Sequence, residues 1–404
     1  MSKTFRFIST ILVLIALLVS CASGVNVNHG EEYTAYAYLN EYFGIGWKEK
    51  NDPFFLKDFK DALKAINPDY NNEGANMVEA AIYAANYSEL LGIYDAKKIK
   101  ARKTWYYTES IKGIKDASLF AFLDSGLGNI EIFKDGKITA DEANVILLNV
   151  ATALGKSRHY IGFTTDEDIN IKMRDAFDSF VLFDDEKLNS IGAELVKNQI
   201  VTGYNLKSDI YNASFLNDYT ITYGHDNIDH AIQLIALLNS EGIIARIQLE
   251  PKISIYQYLL EWGPIPEPSS RYRVEKESDD LYLVHAVEYD MKLEFSKKRD
   301  KDKFDAIINK NAKKNSDNPE LIGLIKGSWW QPLYTSSTSL KGDYESIINN
   351  RLIHNGYSIN SFTVASEMLD FSSLTDEDDS MTSENIPLYV NKAFYNYLVG
   401  DDYE

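Results

Sequence analysis

Apolar residues in the first half of the chain recur at helical spacing. Asn51-Asp52-Pro53 reads as a helix start, with Phe54, Phe55, Phe59, Leu63 and Ile66 on one face, and Asn67-Pro68-Asp69 ends it. The pattern predicts further helices over 74–92, with Val78, Ala81, Ile82, Ala85 and Leu90 as its stripe, and over 95–123 and 139–154. Residues 51–155 therefore read as an all-helical domain. After about residue 160 the period changes. Helices are expected over 166–183, 185–199 and 227–241, and a strand over 243–249. Pro264, Pro266 and Pro268 mark an irregular loop. A long strand follows at 281–295. The Lys- and Asp-rich stretch 300–314 reads as a solvated helix, 315–345 as a turn-rich segment around Trp329-Trp330, and 372–384 as an acidic exposed loop. A terminal helix is expected over 387–399, with Val390, Phe394 and Leu398 on one face. The predicted class is α+β: a helical module, then a buried helix packed on an antiparallel sheet in 160–335, then a C-terminal extension over 336–404.

The first twenty residues have a different pattern. Lys3 and Arg6 form a basic head, Ile8 to Val19 is almost wholly apolar, and the run ends Leu18-Val19-Ser20-Cys21. The apolar stretch is short for a membrane span. The last four residues resemble the bacterial lipobox. That resemblance implies cleavage of a signal peptide over 1–20, lipidation of Cys21 (palmitate among the acyl chains), and anchoring in the cell envelope. Residues 21–50 then read as a tether running into an aromatic lead segment from Tyr33 to Trp47.

Charge narrows the partners. The chain carries a formal charge of −19, and the leader contains two of its basic residues and no acidic one. Such a body repels nucleic acid, so the expected partners are a membrane, through the lipid, and a protein or peptide. Cys21 is the one cysteine, which excludes an internal disulfide and a cysteine-ligated metal. The 27 tyrosines supply amphipathic contact area.

Two segments carry candidate chemistry. Glu131 to Glu142 resembles the second half of an EF-hand loop, with Gly136 at the sharp turn and Glu142 at the bidentate position. Phe133 stands where an oxygen ligand belongs, so the first half is degenerate. An expanded loop would draw calcium ligands from Asp124, Asn129, Asp135 and Glu142. The same residues also fit a metal-free helix–turn–helix joint in which Thr139 caps a helix and Glu142 completes a capping box. Calcium is the cofactor this segment suggests, and both readings stand.

The second segment runs from Asn227 to Arg246. Leu234 to Leu238 is apolar on every side, which marks a buried helix; Gly242 fits a left-handed cap, and Ile243 to Leu249 enters a strand at once. Further on, His285 alternates in phase with Leu281, Leu283, Val287, Tyr289, Met291, Leu293 and Phe295, and so points to the core. The helix–Gly-Ile-x-Ala-Arg–strand order, followed by His285-Ala286 on a strand, resembles the transglutaminase-like superfamily over roughly 160–310. The resemblance implies a papain-related α+β fold, a nucleophile opening the buried helix, a strand histidine at His285 and an orienting aspartate on the next strand, for which Asp300, Asp302 and Asp305 are candidates. Counting back fifteen residues from Gly242, however, reaches Asn227, and no thiol is nearby. An asparagine amide is no nucleophile. The leading expectation is a membrane-anchored lipoprotein with a non-catalytic transglutaminase-like domain, a pseudoenzyme that binds a peptide or polymer. Two alternatives are a metal-dependent hydrolase using His225, His230 and His285, and a calcium-responsive adhesin.

Overall fold

A computed structural model describes residues 30–134, 137–279, 281–311, 334–342 and 344–401. The expected leader, Cys21, Asp135, Gly136, Trp329 and Trp330 lie outside the described residues. Of the segment Met1–Glu32, residues 30–32 are described, irregular and exposed. Residues from Tyr33 onward form one compact unit.

The helices begin earlier than the periodicity from Asn51 suggests. The lead segment is not a tether throughout: α1 (Ala35–Phe43) is capped by Thr34, whose side chain accepts from Ala37 N, and ended by Gly44 at φ 65°. Tyr38 and Tyr42, four apart, stack at 4.7 Å, and Tyr38 and Leu39 are wholly buried. Short aromatic runs have too few turns to show a period, so this helix is legible only through what it packs on. The remainder of the helical module is α2 (Leu56–Ile66), α3 (Met77–Ala84), α4 (Ala96–Tyr106), α5 (Asp116–Asp124) and α6 (Ala140–Ala153). The single helix expected over 95–123 is two, because Tyr107 turns into the left-handed region at φ 50° and starts an irregular connection. The helix expected over 74–92 likewise stops at Ala84, before Asn86 at φ 61° and a 3₁₀ turn over Ser88–Ile93. The module closes on Leu39, Phe59, Leu63, Ile82, Phe120, Leu147 and their neighbours.

The second half is built on antiparallel strands: β1 (Gly162–Phe163), β2 (Gly203–Ser208), β3 (Thr220–His225), β4 (Ala245–Gln257), β5 (Tyr272–Lys276), β6 (Tyr282–Phe295), β7 (Tyr334–Ser336), β8 (Tyr344–His354), β9 (Tyr357–Thr363) and β10 (Met381–Asn391). Eight of them close into a barrel in the order β4-β2-β9-β8-β10-β7-β3-β6, with β6 pairing back to β4 along its whole length, from Ala245↔Phe295 to Gln257↔Leu283. The short β1 and β5 extend the sheet beside β4 and β6. Asn355-Gly356 turns β8 into β9 with both residues at positive φ, as a tight primed hairpin requires.

The boundary expected at 335/336 falls inside β7, and 336–404 is no extension: β8, β9 and β10 are three of the barrel's eight strands. The acidic stretch 372–384 contains the short helix α11 (Ser372–Glu377) and the start of β10, because Met381 is buried and leads a paired strand. The terminal helix α12 (Lys392–Val399) starts only after that strand ends.

Alternate residues give the barrel two different faces. Ile247, Leu249, Ile253, Tyr289, Met291, Leu293 and Phe295 share one core with residues of α7 (Ile169–Asp178), α8 (Glu186–Lys197), α9 (Ile228–Ser240) and α10 (Lys298–Asn311). The fold is therefore α+β, with helices packed over the outside of an antiparallel barrel.

A buried carboxylate ties the two halves together. Glu294, wholly buried, takes Arg158 Nε at 2.9 and 2.8 Å, Arg246 at 2.8 Å and the Leu216 amide at 2.9 Å. Both guanidiniums lie over the ring of Tyr33, and Arg158 also lies 4.2 Å over Tyr38 of α1. Cation–aromatic stacking and charge-assisted hydrogen bonds thus converge where α1 meets β6.

Candidate functional site

The start of α9 is built from its own polar residues. Asn227 is the N-cap, and its side chain accepts from Asp229 N at 2.8 Å. Its carbonyl accepts from the Tyr289 hydroxyl at 2.8 Å, which pins the helix start to β6. Gly242, at φ 67°, follows the helix as expected. His225, at the end of β3, turns Nδ1 toward the amides of Asp226 and Asn227, each at 2.9 Å, with Asp226 Oδ1 at 2.8 Å from the same nitrogen. That nitrogen accepts the amides when unprotonated and donates to Asp226 when protonated. The hydrogen bond to His225 pulls the Asp226 carboxyl below its ordinary range. The His230 ring packs 3.8 Å from that of His225. Asp229 pairs with Arg174 of α7 at 2.7 Å.

His285 belongs to another neighbourhood. It is buried opposite Ile255 of β4 and Arg273 of β5. Its Nε2 lies 3.1 Å from Glu275, which also holds Arg273 at 3.0 Å, and Arg273 reaches Asp184 at 3.1 Å. Burial holds the imidazole below its ordinary pKa, with Glu275 opposing that effect. Tyr289, the residue of β6 that touches Asn227, is four positions further on, roughly 13 Å along a strand rising about 3.4 Å per residue. The helix start and His285 therefore have separate partners, Tyr289 for the first and Glu275 for the second.

The orienting aspartates and the metal set are corrected in the same way. Asp302 pairs with Lys341 at 3.4 Å, Asp305 accepts from the Tyr334 hydroxyl, and Asp300 is buried in the first turn of α10. None is a partner of His285, whose acid is Glu275. His225 and His230 are together, but His285 is not with them. Among the described residues no group of three or more His, Cys, Asp or Glu side chains is placed to hold a metal ion.

The calcium set is likewise dispersed among structural tasks. Asp124 accepts from the hydroxyls of Tyr94 and Tyr106 at 2.9 and 2.8 Å and pairs with Arg102 at 2.8 Å. Asn129 caps the short turn that follows it. Glu142 accepts from Thr139 N at 2.7 Å and from its hydroxyl at 2.8 Å, the capping box of α6. The metal-free joint is the arrangement these three residues adopt.

No motif in the sequence marks the barrel's inner face. Between the apolar positions of β4 and β6 stand Glu250, Lys252, Glu288, Asp290 and Lys292. On an open sheet these residues would face solvent, but closure of the barrel turns them inward. Asp290 binds Lys207 and, at 2.8 Å, Lys252. Burial works against its ionisation, yet the two lysines overcome this and hold the carboxyl far below the ordinary range. Gly224 leaves room beside them: a β-carbon there would come within 2.9 Å of both Asp290 Oδ1 and Lys252 Nζ, and those side-chain ends would have to shift. The signal was present in the charged even positions of 281–295; what it lacked was the ring closure that makes them interior.

Compared with known protein families, curated proteins and solved structures, the chain matches none.

Proposed function

We propose that this chain is a lipoprotein held at the cell envelope through Cys21, and that its body is a binding module for a peptide or polymer, built on a transglutaminase-like core that has no catalytic activity. The observation that carries the non-catalytic reading is the use made of Asn227. It stands where the resemblance puts the nucleophile, supplies no thiol, and caps α9, while His285 of β6 pairs with Glu275 of β5. Acyl transfer needs a nucleophile with a base within hydrogen-bond reach, and an asparagine amide supplies no such nucleophile.

Substitution tests this directly. Asn227→Cys restores the missing element, yet is expected to give neither peptidase nor transamidase activity. Activity appearing in Asn227→Cys and vanishing in the double variant with His285→Ala would overturn the reading. Anchoring is tested separately: Cys21→Ser should abolish incorporation of a labelled fatty acid and release the chain from membranes.

A further inference from the structure

The barrel encloses a chamber that none of the catalytic or metal residues expected from the sequence lines. Its larger lobe, about 330 Å³, is lined by side chains from every one of the eight closing strands, so it is the barrel's lumen. A second lobe of about 170 Å³ shares Lys207, Glu250, Lys292, Asn349, Asn360 and Ile386 with it. Tyr42 of α1 and the 212–217 loop complete the wall. The loop is held there by Tyr42, whose hydroxyl donates to Phe215 O at 2.6 Å, and by Glu250 Oε1, which accepts the Ala213 amide at 2.8 Å. Together the lobes have the size of a pocket for a small molecule.

The charges inside are not all consumed by one another. Lys207 and Lys252 are fastened to Asp290, and Ser254 and Lys252 approach Glu288. Lys292 Nζ, by contrast, stands 3.9 Å from Glu250 Oε2, and Lys207 stands 4.0 Å from the same oxygen, both beyond hydrogen-bond range. Glu250 and Lys292 thus offer one anionic and one cationic group side by side on adjacent strands. Across the ring, Asn349 gives its amide to Asn360 at 3.0 Å, while its Oδ1 is buried with no hydrogen-bond partner. An orphaned buried acceptor is costly unless something donates to it. Ile386 and Leu388, on β10 next to Asn349's strand, make that part of the wall apolar.

We propose that the lumen binds a free α-amino acid with an apolar side chain. The ligand's carboxylate would meet Lys292 and its ammonium Glu250, two charges as close to each other as those on a single α-carbon. The side chain would lie against Ile386 and Leu388. A ligand carrying both charges fits this wall better than a singly charged one, which would leave Glu250 Oε2 or Lys292 Nζ without a direct hydrogen bond. The proposal rests on reading the body as a binding module and names a site and a ligand class for it.

Calorimetric titration of the full chain in detergent with L-leucine, isocaproate and isoamylamine tests it. Saturable binding of leucine is expected, with each singly charged analogue at least tenfold weaker and Lys292→Met weakened at least tenfold for leucine. Equal binding of the three compounds, no binding of leucine, or unchanged affinity in Lys292→Met would overturn the lumen proposal. The wild-type titrations decide it even if that variant does not fold. A peptide library titrated in parallel separates the two ideas. Peptide binding without leucine binding refutes the lumen site alone, and no binding of either refutes the module reading as well.

Discussion

Glu294 shows how much a single side chain carries here. It is an acid on a strand whose neighbours are apolar, and it is tolerated because two guanidiniums and a backbone amide satisfy it. Glu294→Ala leaves Arg158 and Arg246 buried without their carboxylate and should cost about 3–5 kcal/mol, read as a fall in the denaturation midpoint. His285 makes a different contribution. Its imidazole is held below the value of about 6.5 that it has in the unfolded chain, so the unfolded state binds the proton more readily. The stability it contributes is present above that value and is lost as pH falls through the folded value. Between pH 8 and 5 the wild type should therefore lose stability more steeply than His285→Gln, with Glu275, Arg273 and Asp184 as the charged groups facing the ring. A melting series across that range checks it; equal slopes would show that His285 is not the group responsible.

The segments that were legible as elements are those whose period extends over many residues. The strand around His285 and the helix that Asn227 caps lie almost where their patterns put them, because alternation and a buried helical run are properties of the local sequence. The breaks were less legible: Tyr107 enters the left-handed region without being glycine or asparagine, so no residue type announced the end of α4, whereas Asn86 after α3 is of a type that favours that region. The joint before α6 admitted calcium or a capping box, and side-chain geometry favours the box. Thr139→Ala should cost about 1 kcal/mol of stability. The same variant and the wild type should both melt at temperatures unmoved by millimolar calcium; a calcium-dependent rise in the wild type would reinstate the metal reading.

At the scale of the whole molecule, the barrel depends on strands distant in sequence. β2 reaches β10 only through β9 and β8, so these three strands, all beyond residue 336, are needed to close the ring that β4 and β6 begin. A chain ending at residue 335, the boundary that the sequence pattern suggests, should lose cooperative unfolding of the barrel and aggregate through the unpaired edges of β2 and β7. A thermal melt followed by circular dichroism, with light scattering, tests this; a melt as cooperative as that of the full chain would show that the C-terminal strands are dispensable.

The sequence by itself determined the period of its long elements, the absence of any thiol but Cys21, the acidity of the body, and the two unlike faces of the strand at 281–295. Tertiary structure decided what those faces mean. Whether Glu288, Asp290 and Lys292 meet solvent or a lumen depends on β4 pairing with both β6 and β2, and ring closure is a relation between distant segments that no local period encodes. The same is true of His285, whose place in the core was readable, while its acid was not: Glu275 becomes its partner only because β5 pairs beside it.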